Sequence, residues 1–563
     1  MVRKILGFFY KGFLDKEIST LNQAALLLGI FAFLSQVLAF LRDRLLAHIF
    51  GAGIELDIYY AAFRIPDFIF VTVASVVSLS VLIPFIIEKD AVGRVELKEF
   101  IASVFSFFGV LIIVASVAAY FLMPWIAEAL FKGMTPLALL KLVSLSRLML
   151  LSPIILGFSN LFGSLTQAFN RFTLYALAPL LYNLGIILGI VFLADKIGIT
   201  GVAVGVVFGA LLHMLVQVPF VAKEGLFPRL TLRFNIALIA RIAKISFPRT
   251  ITLAMSSITL LFLTSLASLM STGSISVLSF AINLESVPLS LIGVSYSLAA
   301  FPTLSRRFQE KNVKAFLEQM ILTSRFIIFW SLPLTALLIV LRAQIVRVIL
   351  GTGMFDWNDT RLTAAALALF VLSSVFQCLL LLFMRGFYSA GFTKKPFYIN
   401  LLSTIFLFAA AYGLVKFFYA SEIFRYFIGA LLRVEDLPNT AVLMLPLAFS
   451  LGTILNVLLL WISFEREFSG YSNGVMRALF EAFGASVIIG AVAYAGLGIF
   501  DTVFNTATLV GLFLQGLVAG LIAISAGILV LIGLKNKEIS DVWDAVHERF
   551  WKVKVIATDP EIV

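Results

Sequence analysis

Long segments of uncharged, apolar residues follow one another along almost the whole sequence, and they constrain the fold more than any other feature. A helix crosses a bilayer with about 20 apolar residues, and these segments reach or exceed that length. They occupy residues 21–41, 57–87, 100–127, 139–169, 172–194, 199–222, 245–270, 275–304, 316–341, 362–391, 396–418, 440–463, 475–500 and 508–534. Charged residues make up only 13% of the 563-residue chain, about half the usual share in soluble proteins. We therefore expect an all-α polytopic membrane protein with about 14 transmembrane helices. The apolar runs are continuous and do not alternate, which excludes a transmembrane β-barrel.

Basic residues are concentrated in alternate connections between these segments. If the N-terminus is cytoplasmic, the cytoplasmic connections carry most of the 42 Lys and Arg residues, including those of 223–244 and 306–314. The positive-inside rule then predicts that both termini are cytoplasmic and that the connection 419–439 is external. The net charge of +11 is explained by this bias, so no nucleic-acid partner is needed.

The two ends of the chain are predicted to lie on the membrane surface. Residues 1–20 are basic and apolar but too broken by charges for a cleavable signal peptide, so we expect a cytoplasmic interfacial segment. Residues 535–563 are predicted to form a cytoplasmic amphipathic tail. In that tail Ser540 is a plausible helix cap, and Trp543 and Phe550 share one face.

A spacing of 218 residues indicates an internal repeat. It separates Pro84 from Pro302 and Phe169 from Phe387, in segments 2 and 8 and near the ends of segments 4 and 10. Six helices are an even number, so two such copies enter the membrane in the same direction, as in transporters built from parallel repeats. Two coincidences among helices of similar composition are the alternative.

The repeat predicts a domain organisation of two six-helix lobes followed by two further helices. The predicted parts are an N-lobe at 21–225, a C-lobe at 235–464 and a C-terminal helix pair at 465–534.

Two acidic residues inside the apolar segments share the same offset. Asp67 and Glu285 are 218 residues apart, and each lies about 15 Å from the end of its helix. An ionisable group at that depth is a functional hypothesis by default, and binding of H⁺ or Na⁺ there is one way to drive alternating access. The alternative is a structural ion pair, for Asp67 with Arg64 one turn away.

Other polar residues within the segments have more than one interpretation. Asp57 and Arg64 share a face of segment 2 and could line a cavity, or Arg64 could extend to the lipid head groups. Arg249, about one turn into segment 7, either extends to the membrane surface or meets an anionic head group. Arg147 is assigned a structural role. Interhelical hydrogen bonds are expected for the following amides: Gln36, Asn160, Gln167, Asn183, Gln377, Asn400 and Asn456.

The sequence contains no pattern that indicates catalysis or a metal site. Cys378 is the single cysteine, and the three histidines are far apart, so no cluster with metal-ligand spacing exists. No nucleophile and base can be paired either. We therefore expect neither an enzyme nor a cofactor; coupling to the membrane potential, H⁺ or Na⁺ remains open.

Four stretches resemble one known family. They are SQVLAFLRDRLLAHIFGAGIELDIYYAAFRIP (35–66), AFNRFTLYALAPLLYN (168–183), IGVSYSLAAFPTLS (292–305) and GFYSAGFTKKP (386–396). They are similar to the MurJ/MviN lipid II flippases of bacterial cell-wall synthesis, within the multidrug and polysaccharide-lipid exporter superfamily. The resemblance implies fourteen helices in two lobes, with the last two forming a groove for a lipid tail.

The resemblance also implies site residues and shows departures. By position it gives Arg42, Asp57 and Arg64 substrate-binding roles, to which we add Arg249. The family's arginines are replaced at or beside Gln36, Phe70, Val71 and Asn283. The predicted coupling and cavity residues are Asp67, Glu285, Gln36 and Asn283.

These observations lead to a functional hypothesis with two alternatives. The leading one is a monomeric, multi-pass flippase of the bacterial inner membrane that moves an anionic polyprenyl-linked peptidoglycan precursor by alternating access, with membrane lipids as its other partners. A small-molecule exporter of the same superfamily is the first alternative. The second is a non-transporting membrane scaffold derived from a flippase.

Overall fold

The computed structural model describes residues 21–76, 79–231 and 234–550, and this part of the chain is helical without any β-strand. The predicted segment 1–20 and the end of the tail lie outside the described residues. The helices of the first half are α1 (Leu21–Phe50), α2 (Ile54–Val76), α3 (Leu79–Val92), α4 (Arg94–Leu130), α5 (Pro136–Met149), α6 (Leu151–Ala168), α7 (Phe172–Ile197), α8 (Ile199–Leu215), α9 (Val218–Lys223) and α10 (Ile236–Ser268).

The second half is helical in the same way. Its α-helices are α11 (Ser274–Pro288), α12 (Ser295–Gln309), α13 (Val313–Val340), α14 (Arg342–Leu350), α15 (Trp357–Val371), α16 (Ser374–Ser389), α17 (Lys394–Ala420), α18 (Glu422–Leu432), α19 (Met444–Glu467), α20 (Tyr471–Phe500), α21 (Leu509–Gly533) and α22 (Lys537–Phe550). A π-helical turn, Leu289–Val294, joins α11 to α12 directly after Pro288. A 3₁₀ turn, Thr440–Leu443, precedes α19.

The all-α membrane fold predicted from the sequence is confirmed. In the described residues, eleven helical stretches are long and apolar enough to cross a membrane, or twelve if α15 and α16 form one broken span. They correspond in order to predicted segments 3 to 14. The count of fourteen is not confirmed, because segments 1 and 2 fall on α1, α2 and α3, which adjoin or include positions outside the described residues.

Predicted segment 10 is broken by a bend of 41° between α15 and α16. A break leaves main-chain carbonyl groups without helical partners inside the membrane, where each needs another donor. Ser450 supplies one, since its hydroxyl donates to the carbonyl oxygens of Leu369 (2.5 Å) and Phe370 (3.3 Å). The sequence shows no proline at this break, so the bend was not predicted.

The chain divides into two compact units. The first comprises Met1–Ala281, Ile349–Ala366 and Asn400–Ala448, and within it α7 packs along α8 and α2 along α10. The second comprises Ile282–Val348, Leu367–Ile399 and Phe449–Val563, and within it α20 packs against α13 and α21. These units follow packing, whereas the predicted lobes rest on sequence repetition, so the lobe boundaries stay a prediction.

Small residues bring α7 and α8 of the first unit into close contact. A Cβ atom added at Gly185 would lie 2.2 Å from the Cα atom of Gly209, and one added at Gly189 would lie 2.5 Å from the Cα atom of Gly205. Such small-residue faces let helix backbones approach closely within a membrane. The spacing of these glycines therefore fixes how the two helices pack.

We expect Gly185→Val to destabilise the protein by about 2 kcal/mol, because the backbone of α8 has to move away to admit the side chain. Gly413→Val in α17 is the matched control, since a Cβ atom there meets nothing within 4 Å. Both are compared by denaturant unfolding in detergent. Equal stability of the two variants would contradict the close packing of α7 and α8.

The predicted amphipathic tail begins with α22, but its cap differs from the prediction. The side chain of Asn536 accepts a hydrogen bond from the Ile539 main-chain N–H group at 3.1 Å, so the helix begins at Lys537. Asparagine is at least as good a cap as serine. The prediction of Ser540 as the cap was therefore wrong, and this residue lies one turn inside the helix.

Candidate functional site

Charged side chains lie along α1 and α2 of the first unit. In α1, the guanidinium group of Arg42 donates to Asp43 Oδ1 through Nε (2.9 Å) and Nη2 (2.8 Å). Its Nη1 donates to Asn183 Oδ1 of α7 at 3.0 Å, and Asn183 in turn donates to the Ser35 hydroxyl. The prediction that Asn183 is an interhelical hydrogen-bond partner is confirmed. Arg42 is thus held in a paired, partly buried position.

Asp57, at the start of α2, accepts hydrogen bonds with both of its carboxylate oxygens. The Gly273 N–H group donates to Oδ2 at 2.6 Å. The N–H and hydroxyl groups of Ser276 donate to Oδ1 at 2.7 and 2.6 Å. A carboxylate at this position satisfies free N–H groups at the first turn of α11. The structure therefore places Asp57 as a cap between helices, and its predicted role in substrate binding stays untested.

Arg64 lies two turns further along α2 and reaches α10 and α11. Its Nε donates to the Thr264 hydroxyl at 2.9 Å, and its Nη2 donates to the Ser279 hydroxyl at 3.4 Å. Both partners are neutral, so these hydrogen bonds orient the guanidinium group without neutralising it. The side chain is half-buried among helices. The contacts with α10 and α11 show that it faces neighbouring helices, and its place in a cavity wall stays a prediction.

The other predicted residues of the first unit are less connected. Asp67 is half-buried on α2, one turn after Arg64, and interacts with it electrostatically. Gln36 is half-buried on α1. Arg249 belongs to α10, but its side chain lies outside the described residues.

Glu285 lies in the second unit, on α11, and is 4% exposed. Its Oε1 accepts a hydrogen bond from Gln377 Nε2 of α16 at 2.7 Å. The same nitrogen lies 3.1 Å from the Ser373 hydroxyl, which the Ser450 hydroxyl also contacts. Gln377 is therefore an interhelical partner, as predicted. Asn283, two residues before Glu285, is half-buried on α11.

A group of main-chain contacts around the connection between α1 and α2 was not predicted from the sequence. At the end of α1, the His48 carbonyl oxygen accepts a hydrogen bond of 3.0 Å from the N–H group of Met354, which lies between α14 and α15. The Ala52 N–H group donates to Asp359 Oδ2 at 3.3 Å. Gly51 has a φ of +59° and lies so close that an added Cβ atom would be 2.7 Å from the Met354 carbonyl oxygen. The Gly-Ala-Gly sequence after α1 was the available signal.

The chemistry of Arg64 suits the binding of an anion. No group of three His, Cys, Asp or Glu side chains that could hold a metal ion occurs in the part of the chain that the structure describes. A guanidinium group held by neutral hydroxyls inside a helical bundle can pair with an anion such as a phosphate, often through two hydrogen bonds. The geometry of Arg64 therefore supports recognition of an anionic ligand.

Comparison with known proteins identifies the family. Residues 46–519 match the family model described as lipid II flippase MurJ, which covers most of the chain. The chain belongs to this MurJ family. A relative named probable lipid II flippase MurJ, from Buchnera aphidicola subsp. Schizaphis graminum, is 28% identical over 386 residues, which cover 67% of this chain and 74% of the relative.

Solved structures agree with MurJ at the level of the fold. A structure described as lipid II flippase MurJ in an inward closed conformation has a TM-score of 0.70 at 24% identity, covering 90% of this chain and all of that one. An inward-facing multidrug resistance MATE family transporter of the MOP superfamily has a TM-score of 0.61 at 16% identity, covering 78% of this chain and 96% of that one. The resemblance noted in the sequence is confirmed.

Proposed function

We propose that this multi-pass membrane protein is a flippase that translocates an anionic polyprenyl-linked peptidoglycan precursor, lipid II or a related lipid-linked glycan, across the bacterial inner membrane. The observation that carries the proposal is the match to the MurJ family over residues 46–519. Transport by alternating access uses binding groups between helices and needs no catalytic residue. The protein acts as a monomer, with membrane lipids as its other partners.

The test is replacement of the resident flippase in living cells. A bacterium whose own lipid II flippase is depleted is expected to keep growing and dividing when it expresses this chain. An equally expressed, inactive variant of the resident flippase is the control. Lysis despite normal membrane expression would contradict the proposal. The small-molecule exporter, which the MATE-like fold fits, predicts no rescue but a lower accumulation of cationic dyes.

Arg64 is the central head-group ligand in this proposal. A pyrophosphate that leaves water needs charge-assisted hydrogen bonds, and the hydroxyls that Arg64 donates to are neutral, so in this proposal the head group shares its charge with the nearby Asp67. Arg42 and Arg249 are secondary ligands, because Arg42 already donates to Asp43 and Asn183. Gln36 and Asn283 add neutral polar groups at or beside positions where the resembling family has arginines.

Coupling to H⁺, Na⁺ or the membrane potential is assigned to Asp67 and Glu285. Each is a carboxyl group within a membrane segment, where bringing an uncompensated charge into the bilayer costs several kcal/mol. Glu285 is buried and accepts a hydrogen bond from Gln377. Both observations fit a carboxyl group that gains and loses a proton or a cation during transport. The membrane potential acts on any charge that moves with it.

We expect Glu285→Gln to fold normally, because the amide keeps the shape and an acceptor oxygen for Gln377. The variant mimics the protonated acid permanently. In proteoliposomes its lipid translocation should therefore no longer respond to an imposed pH or Na⁺ gradient, while wild-type protein responds. Asp67→Asn is the companion variant, because Asp67 lies 218 residues before Glu285 at the corresponding position of the predicted repeat. A gradient response that both variants retain would show that these acids are structural.

Both termini are assigned to the cytoplasm from the distribution of Lys and Arg. Cys378 is buried and is the only cysteine. In a Cys378→Ser background, a thiol reagent therefore labels only the cysteine that has been introduced. Ala430→Cys is expected to react with an impermeant thiol reagent in intact spheroplasts. Glu310→Cys should react only after permeabilisation. The opposite pattern would invert the orientation.

A further inference from the structure

A pocket of about 590 Å³ lies in the first unit, between the end of α17, helix α18 and the loop that follows α18. Its floor is made of buried apolar residues: Phe418, Val434, Leu437 and Ala441. Its rim is polar and aromatic: Tyr419, Glu422, Arg425, Tyr426, Glu435 and Asn439. A space of this size is within the range of small-molecule binding pockets. None of the roles proposed above uses this pocket.

Helix α18 has two different faces. Exposed apolar side chains recur at every fourth residue of the helix: Ile423, Phe427 and Leu431. The opposite face lines the pocket with Glu422, Arg425, Tyr426 and Gly429. The membrane-crossing helix α17 ends at Ala420, directly before α18, and an amphipathic helix at such a place lies in the membrane surface with its apolar face in lipid. The pocket therefore lies at the membrane surface, on the side of α18 that faces away from the lipid.

Hydrogen bonds hold the loop that forms the other wall of the pocket. Arg361 of α15 donates from Nη1 to Asp436 Oδ2 at 2.7 Å and from Nη2 to the Arg433 carbonyl oxygen at 2.6 Å. The Ser271 hydroxyl, at the edge of the pocket, donates to Asn439 Oδ1. A preformed wall lowers the entropy cost of binding a ligand. The rim is thus in place before a ligand arrives.

The chemistry of the rim favours an uncharged, polar ligand. Glu422 and Glu435 bring two carboxylates, whereas the guanidinium group of Arg425 lies 3.5 Å from Glu422, so phosphate groups are repelled. Carboxylate and guanidinium groups side by side accept and donate hydrogen bonds, as the hydroxyl and amide groups of a sugar require. Tyr419 and Tyr426 are 63% and 70% exposed, and the negative face of such a ring attracts the C–H groups of a sugar ring.

From these observations we infer that the pocket is a binding site for an uncharged glycan of one or two amino-sugar residues. The sugar rings lie against Tyr419 and Tyr426, and their hydroxyl and amide groups bond to Glu435 and Asn439. The choice of amino sugars rests on the proposed function, in which the connection 419–439 is external. The glycan is either a free saccharide or the head group of a lipid that has crossed the membrane.

The test measures saccharide binding to the full-length protein in lipid nanodiscs by saturation-transfer NMR titration. The probe is N,N′-diacetylchitobiose, an uncharged disaccharide of N-acetylated amino sugars, and wild-type protein should bind it. Tyr419→Ala and Tyr426→Ala should each weaken binding about 10-fold, because each removes one ring that contacts a sugar. Tyr398→Ala is the matched control and should bind as wild type does, since Tyr398 is also 63% exposed but does not line the pocket.

A second arm of the experiment identifies the source of the glycan. A polyprenyl-pyrophosphate disaccharide with a photoactivatable sugar is placed in the same nanodiscs. Crosslinking within residues 418–441 that is lost in Tyr419→Ala/Tyr426→Ala makes the lipid-linked head group a ligand of the pocket. Binding of the free disaccharide without such a crosslink makes a free saccharide the ligand.

Three results would overturn the inference. They are no binding of the disaccharide by wild-type protein, equal affinities of Tyr419→Ala and Tyr398→Ala, and displacement of the disaccharide by phosphoethanolamine, a charged lipid head group. Failure of this inference is distinguishable from failure of the flippase proposal. Growth rescue by a chain that binds no saccharide would leave the flippase proposal intact, whereas saccharide binding without rescue would contradict the flippase proposal alone.

Discussion

The Arg64→Ala variant is expected to bind a polyprenyl-pyrophosphate glycolipid about 10- to 100-fold more weakly than wild-type protein, since hydrogen bonds to charged groups contribute about 1.5–3 kcal/mol. The guanidinium group is oriented by Thr264 and Ser279, which accept hydrogen bonds but carry no negative charge. A pyrophosphate can therefore pair with Arg64 in addition to the nearby Asp67. Alanine removes that charge and leaves two hydroxyls that other donors can satisfy.

Binding is measured on purified protein with a fluorescent polyprenyl-pyrophosphate glycolipid, beside an unfolding titration of each variant. Arg147→Ala is the matched control, because Arg147 lies on α5, donates to the Tyr120 carbonyl and lies over the Tyr120 ring. It should leave affinity unchanged. Arg64→Lys should restore part of the affinity, as a lysine keeps the charge but loses the planar fork. Unchanged binding by Arg64→Ala would remove Arg64 from the head-group site.

The replaced arginines lead to a related expectation about the substrate. Gln36 and Phe70 stand where the resembling family carries arginines, and Asn283 stands at or beside such a position, so several kcal/mol of pyrophosphate binding is missing unless other cations compensate. We expect this chain to bind lipid II more weakly than an arginine-complete MurJ relative does, measured side by side in the same detergent. Equal affinities would show that Arg42, Arg64 and Arg249 are sufficient.

Hydrophobicity predicted the membrane helices well, because the bilayer imposes a length and a composition on every crossing. Segments 3 to 14 correspond to the observed spans one by one. The sequence did not reveal the break between α15 and α16, which depends on a hydroxyl from Ser450. That partner lies about 80 residues away in the chain, and no local pattern reports it.

Functional roles were harder to predict than helices for the same reason. Spacing along α2 placed Asp57 and Arg64 on one face, and this spacing says nothing about what lies opposite. The structure shows Gly273 and Ser276 opposite Asp57, and Thr264 and Ser279 opposite Arg64. Amide side chains inside apolar segments were a better indication of contacts between helices than this spacing was. Asn183 and Gln377 both bond to other helices, as a polar group in the membrane must.

For Asp57, the predicted role in substrate binding and the observed role as a helix cap can be separated by experiment. Its carboxylate accepts three hydrogen bonds, two from main-chain N–H groups and one from the Ser276 hydroxyl. Removing it leaves buried donors unsatisfied at the start of α11, which adds to the loss of a helix cap. We expect Asp57→Ala to lower the free energy of unfolding by about 3 kcal/mol or more.

Glu55→Ala provides the control for Asp57→Ala, because Glu55 lies two residues earlier on α2 and forms a half-exposed ion pair with Lys141. Exposed pairs contribute about 1 kcal/mol or less, so this variant should remain close to wild type in an unfolding titration. Asp57→Asn should fall between the two, because an amide keeps one acceptor oxygen but directs an NH₂ group at a main-chain N–H.

If Asp57 acts only as a cap, the folded fraction of Asp57→Ala binds the glycolipid with wild-type affinity. A loss of affinity at unchanged stability would instead place Asp57 among the substrate ligands, as the sequence predicts, and would make its hydrogen bonds to α11 incidental.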